Sequence, residues 1–522
     1  MTRPDILLLI LDTQRADRLG CYSHRTAITP NLDNFSGKAA LFEQAISPAQ
    51  WTIPSHASMF TGLYPTAHQM TQYRQGLSPD VPHLAEVLSA VGYQTFGFSN
   101  NPLVGVLKNG LTRGFDTFYN YGGAMPGLLR PPTHLPWPLK TIAEVSARFL
   151  RRISYPIQNF VSQSEMAFRI SLNAWLTPFW TRLANFKGQN ERSVDDICRF
   201  LKQRERIREK RPLFLFVNLM ETHMPFRPPC EFLDKVAPYL HTSKEARAIM
   251  RTWNRETCRW SAPLDRPLAE LEHRVLSDAY DAEVAYQDDY LGRLFAVLAE
   301  RDNRENTLTI ISSDHGEGLG EHSYVGHSFV AYQELVHVPL IMHWPAQIMA
   351  KRVKSLVSTR RIFHTILNAT GSLPNTVPGL VRAEIDALTL QETVGDRDPE
   401  EGTAYVEVYP PLDIVRKMRR HQPELIEPFG CLSRRRAIVK DNLKMIQIDE
   451  EPKELFNLES DPLELLNILS ESKVTAENMN QQLKRMVNQL NLKRENLNIG
   501  AKLDLESDQQ LMQRLRSLGY IE

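Results

Sequence analysis

The chain is poor in cysteine, carries no net charge and has no long hydrophobic run. Its five cysteines, Cys21, Cys198, Cys230, Cys258 and Cys431, are odd in number and scattered over 522 residues, with no Cys-x-x-Cys pair. That pattern speaks against a disulfide framework or a cysteine zinc site and suits the reduced thiols of a cytoplasmic protein. Sixty-one basic residues balance sixty-one acidic ones, which speaks against a dedicated nucleic-acid binder. Only six apolar residues, Ile6 to Leu11, separate Asp5 from Asp12. Such a run is too short for a secretory core or a membrane span. The expected location is cytoplasmic, with this first strand part of the mature fold. Hydrophobic residues make up 42% of the chain, enough to bury a large core and to support more than one domain.

What is present concentrates at the ends of apolar runs. Asp5 to Leu11 ends abruptly at Asp12, and Leu308 to Ser313 ends at Asp314-His315-Gly316-Glu317. Both read as buried parallel strands that deliver carboxylates at their C-terminal ends, the edge where open α/β sheets bind ligands. A third run, Leu213 to Leu219, is followed by Glu221-Thr222-His223-Met224-Pro225-Phe226. Between them lies the block Gln50-Trp51-Thr52-Ile53-Pro54-Ser55-His56, in which Pro54 suits the first turn of a helix. A Thr52 hydroxyl there would sit where unpaired N–H groups favour an anion, and an ordinary helix cap is the alternative. If Asp12, Asp314 and His315 meet Thr52, they offer hard oxygen donors and one imidazole to a divalent metal.

Several longer motifs occur in one order. They are the strand ending at Asp12, Pro54-Ser55-His56-Ala57-Ser58-Met59-Phe60-Thr61-Gly62-Leu63-Tyr64-Pro65, and Tyr280-Asp281-Ala282-Glu283. Then come Ser313-Asp314-His315-Gly316-Glu317 with Leu319-Gly320-Glu321-His322, Val338-Pro339-Leu340-Ile341 and Glu454-Leu455-Phe456-Asn457 through Pro462. On these residues the chain resembles the sulfatase family of the alkaline phosphatase superfamily, over 4 to about 120, about 190 to 370 and about 400 to 470. The resemblance implies an α/β fold with a large mixed, mostly parallel sheet flanked by helices, and a small C-terminal antiparallel sheet.

The departures from the family pattern bear on chemistry. Sulfatases proper oxidise a Cys or Ser to formylglycine where this chain has Thr52, and Thr cannot give that aldehyde. The family's Arg is His56, its second N-terminal Asp is Thr13, and its Lys is His327. The chain therefore also resembles the Thr-nucleophile members of the superfamily, such as phosphoglycerol transferases.

The resemblance implies a catalytic set of Thr52, His56, His223 and His327, with His223 contacting the ester or protonating the leaving group. The implied metal set is Asp12, Thr13, Thr52, Asp314 and His315. Two-metal relatives complete a second site with an Asp-x-x-x-His pair, which this chain lacks. One divalent ion is expected: calcium, manganese or magnesium. Histidines in place of Arg and Lys predict a steeper loss of activity above neutral pH.

The implied function is hydrolysis of sulfate or phosphate esters through a covalent intermediate on Thr52. A phosphoglycerol- or phosphoethanolamine-type transferase, a phosphodiesterase, or a non-catalytic glycan-binding descendant are the alternatives. The expected partner is a sulfated or phosphorylated small molecule, glycan or lipid headgroup.

The resemblance implies a catalytic domain over 1–375 and a small-sheet subdomain over 400–470, after which the charged residues read as a helical tail over 471–522. A basic, aromatic stretch at about 121–190 reads as a helical insertion over the site or as a membrane-surface contact. Pro82 to Tyr93 reads as a helix stopped by Gly92, and Gln94 to Ser99 as the next strand. Helices are expected over 280–300, 474–494 and 511–521, the second a charged, solvated surface helix, and a linker or loop over 375–400.

Overall fold

The computed structural model describes residues 3–497 apart from 25–26, 73–74, 106, 122–188, 208–209, 256–259 and 372–380. The stretch at 121–190 and the expected helix at 511–521 thus lie almost wholly outside the described residues.

Strands are labelled in chain order. The main sheet holds β1 (Asp5–Leu11), β2 (Ala40–Phe42), β3 (Gln94–Ser99), β4 (Thr117–Asn120), β5 (Leu213–Leu219), β6 (Thr307–Ser312), β7 (Leu340–His343) and β8 (Lys351–Val353). Their order across the sheet is β8-β2-β7-β6-β1-β5-β3-β4. Only β7 runs against its neighbours; the remaining pairings are parallel. The expected mixed, mostly parallel α/β sheet is therefore the observed one.

The apolar runs form strands because both faces of the sheet are covered. Ile6, Leu8 and Ile10 face one core, and Leu7, Leu9 and Leu11 face the other, following the two-residue alternation of a strand. The first core receives α1 (Thr52–Thr61), and the second receives α2 (Glu270–Ala299). Helix α2 starts ten residues before the expected position at Tyr280. Its extra turns are held because Val275, Leu276 and Ala279 are buried there.

A second sheet, β9 (Thr403–Val408), β10 (Arg435–Lys440), β11 (Leu443–Ile448) and β12 (Glu451–Asn457), is antiparallel throughout. Tyr405, Ile438, Met445 and Leu455 join it to the first core. Helix α3 (Lys473–Asn496) covers that junction with Ala476, Met479, Leu483 and Leu490. It is a packed helix with one solvated side, where its charged sequence suggested a surface helix. The stretch read as a linker also differs: Arg382–Leu388 and Leu390–Val394 are short helices. Burial of Ile385, Leu388 and Leu390 fixes them, and the Thr389 side chain accepts from the Gln391 N–H at the second helix start.

Candidate active site

Three central strands end side by side. In register, Leu11 of β1 opposes Leu219 of β5, and Ile10 opposes Ser312 of β6. The residues that follow, Asp12, Thr222 and His223, and Asp314 and His315, therefore emerge at one edge. Helix α1 begins at this edge, since its first residue is Thr52 and Trp51 is the flanking cap. No side chain caps this end, so the Thr52 hydroxyl stays free for other partners.

The Thr52 hydroxyl oxygen lies 3.3 Å from His315 Nε2 and 3.4 Å from Asn101 Nδ2. His315 Nδ1 bonds the Gly316 carbonyl at 2.8 Å, which requires the proton on that nitrogen. The Nε2 lone pair is thereby aimed at the site, the usual outer-shell arrangement of a metal-binding histidine. At Gly316 a Cβ would stand 2.0 Å from the Glu334 carbonyl oxygen, so the turn after His315 needs glycine.

Asn101 Nδ2 also donates to Asp12 Oδ2 at 2.6 Å, and Asn218 Nδ2 reaches the same oxygen at 3.3 Å. Asp314 Oδ1 accepts from the His315 N–H at 3.0 Å and the Thr13 N–H at 3.3 Å. The other oxygens, Asp12 Oδ1 and Asp314 Oδ2, are buried without a hydrogen-bond partner. Orphaned buried carboxylate oxygens are costly unless something positive sits between them. Donor atoms of Asp12, Asp314 and His315 all lie within 4.8 Å of one another. Two carboxylates, one imidazole and a hydroxyl fit a divalent cation. Burial pushes the Asp12 carboxyl up to about 6. Burial and the neighbouring Asp12 carboxylate raise Asp314 well above the ordinary carboxylate value.

Thr13 joins this arrangement through its backbone. Its φ of 62° is left-handed, and its hydroxyl donates to the Asp12 carbonyl at 2.6 Å. His56 is fully buried, with Nδ1 on the Thr52 carbonyl at 2.9 Å and Nε2 3.4 Å from Asn218 Nδ2. Burial lowers it to about 4, so it stays neutral, one helical turn behind Thr52.

His327 and His223 form the more open side. Their ring centroids lie 5.0 Å apart, and His327 is 4.4 Å from the His315 ring. Burial works against charge on His327, but Glu317 at 2.8 Å and the Asp12 carboxylate hold it above the ordinary histidine value. Glu317 is itself fully buried.

All the residues expected at the site meet at this edge. Asn101, Asn218 and Glu317 were missed. Asn101 and Asn218 carried only the weak signal of amides at the ends of buried strands. Glu317 stood inside a quoted motif without an assigned role.

Comparison with known proteins places the chain in a family. The family model Sulfatase matches residues 4–372. An uncharacterized sulfatase, YidJ, of Escherichia coli K12 is 25% identical over 480 residues, covering 90% of this chain and 84% of its own. An arylsulfatase of Clostridium perfringens is 24% identical, covering 72% and 77%. The crystal structure of a phosphonate monoester hydrolase of Agrobacterium radiobacter superposes with a TM-score of 0.64 at 18% identity, covering 97% of both chains. Its likeness is one of fold. With a family model spanning most of the catalytic sheet and its motifs meeting at one strand edge, the chain belongs to the Sulfatase family of hydrolytic enzymes.

Proposed function

We propose that the protein is a divalent-metal-dependent hydrolase of sulfate or phosphate-type esters, phosphonate esters included, that acts through a covalent intermediate on Thr52. The observation that carries this reading is the convergence of Thr52 Oγ1, His315 Nε2 and the orphaned oxygens of Asp12 and Asp314.

Asp12 Oδ1, Asp314 Oδ2, His315 Nε2 and Thr52 Oγ1 would hold one calcium, manganese or magnesium ion. When bound, such an ion lowers the pKa of the threonine hydroxyl and polarises the non-bridging oxygens of the ester. Its proton given up to solvent, Thr52 Oγ1 would attack sulfur or phosphorus as the alkoxide, the bond to the leaving oxygen breaks, and protonated His223 gives that oxygen its proton. Water displaces Thr52, which leaves again as the alkoxide, and the water proton goes to His223, restoring the starting state. Asn101 holds the threonine oxygen and Asp12 in place, and His56 fixes the first turn of α1. Charged His327 pairs with the transferred group. No formylglycine is expected, because position 52 carries neither a thiol nor a primary alcohol.

Charge balance narrows the substrate. A divalent ion offsets Asp12 and Asp314, and Glu317 offsets His327, leaving the site near neutral. That balance favours singly charged esters, such as sulfate monoesters, phosphate diesters and phosphonate monoesters, over doubly charged phosphate monoesters. Relatives named as an arylsulfatase and a phosphonate monoester hydrolase fall in that charge class.

The test is a panel of aryl sulfate, phosphate monoester, phosphate diester and phosphonate monoester substrates with each of the three metals, run beside Thr52→Ala. Turnover of singly charged esters, with a trapped sulfo- or phosphothreonine, is the expected result. Full turnover by Thr52→Ala overturns the covalent role.

A further inference from the structure

A cavity of ≈ 420 Å³ lies between the C-terminal sheet, α3 and the short helix Pro65–His68, and none of its lining residues belongs to the Thr52 centre. Its volume is in the range of small-molecule sites.

The charges lining it are lopsided. Arg434, Arg436, Lys484 and Arg494 face one carboxylate, Glu450. Arg436 forms the floor and is 5% exposed. Its nearest carboxylate oxygens, on Glu407 and Glu450, lie at 3.5 and 3.6 Å, beyond good hydrogen-bond length. Its Nε has no hydrogen-bond partner. Glu407, just behind the wall, is already engaged by the Thr66 N–H at 2.6 Å and by the Thr66 hydroxyl. Arg434 bonds exposed Glu450 at 2.8 Å. The side chains of Lys484 and Arg494 make no hydrogen bond or ion pair among the described residues. Even with both glutamates counted, the surroundings are left two charges positive. A buried guanidinium with an unfilled donor, in a cavity of like charges, is costly unless an anion binds there.

We propose that this cavity is a second anion-binding site, separate from the Thr52 centre, for a small soluble molecule carrying two or more phosphate or sulfate charges. Arg436 receives one charged group at the floor, and Arg434, Lys484 and Arg494 receive another at the mouth. Arginine forks suit such tetrahedral oxyanions.

The test is calorimetric titration of the full-length protein with inorganic pyrophosphate and tripolyphosphate under a metal chelator, so that the Thr52 centre contributes little. Saturable binding is expected, retained in Thr52→Ala. It should weaken at least tenfold in Lys484→Gln/Arg494→Gln, a pair at the cavity mouth outside the packed residues of α3, so that the fold and ester turnover stay intact. Arg436→Gln should abolish it, with circular dichroism reporting whether that variant folds. Absence of saturable binding overturns the proposal. So does binding that survives the Lys484→Gln/Arg494→Gln change or disappears with Thr52→Ala.

Discussion

Thr52 Oγ1 and His315 Nε2 lie 3.3 Å apart although 263 residues separate them in sequence. One begins a helix and the other ends a strand turn, and the parallel sheet brings both to a single edge. That contact joins the proposed nucleophile to the proposed metal shell.

The first prediction concerns that hydroxyl. Thr52→Ala should lower kcat by about a thousandfold or more while leaving the unfolding midpoint nearly unchanged. Thr52→Ser keeps the oxygen and should retain measurable turnover. Steady-state kinetics on the best ester of the panel decides it, and equal rates for Thr52→Ala and the parent remove Thr52 from the chemistry.

Asn101 bridges Asp12 and Thr52 through one amide nitrogen. Asn101→Ala should weaken metal affinity or activity by about 10- to 100-fold, the usual cost of losing such an outer partner. Metal titration followed by activity measures it. An unchanged midpoint in metal and an unchanged rate would show that the amide is dispensable.

Metal removal should act through protons as well as chemistry. Burial raises the metal-free Asp12 to about 6. A carboxyl raised above its unfolded value of about 3.9 holds extra protons in the folded state, so its stability contribution is full at low pH and is lost as pH rises through about 6. A divalent ion replaces those protons. Added manganese or calcium should therefore raise the unfolding temperature more at pH 7 than at pH 5, and chelation at pH 7 should abolish turnover. Equal metal-induced shifts at the two pH values would contradict this linkage.

The alkaline limb of the pH profile should belong to His327. Of the three rings nearest the metal shell, His56 and His315 are held neutral by burial, whereas Glu317 holds His327 above the ordinary histidine value, so that it keeps its charge beside the proton donor His223. Activity should fall only above the ordinary histidine range, later than the sequence suggested. Glu317→Gln should move that limb to lower pH, and His327→Lys should move it higher. A kcat/KM profile indifferent to both substitutions would assign the limb elsewhere.

Much of this arrangement was legible in the sequence because its signals are local. A fully apolar run that stops at an acid, as at Asp12 and Asp314, states both a buried parallel strand and the edge it serves. The motif order identified the family before any contact was known. Helix α3 was harder to read, since its charged side dominates the composition while Ala476, Met479, Leu483 and Leu490 do the packing. The short helices after 381 were hidden for the same reason: a few buried leucines outweigh a polar average.

The sequence alone determined the strand ends, the threonine in place of an oxidisable residue and the histidines in place of arginine and lysine. Tertiary structure decided which way each side chain turns. It set His56 against the Thr52 carbonyl, gave His327 its Glu317 partner, recruited Asn101 and Asn218, and gathered Arg434, Arg436, Lys484 and Arg494 around one cavity. Periodicity and residue type are properties of a short window of chain. Hydrogen-bond partners and local charge balance depend on groups hundreds of residues away, and folding alone brings those together.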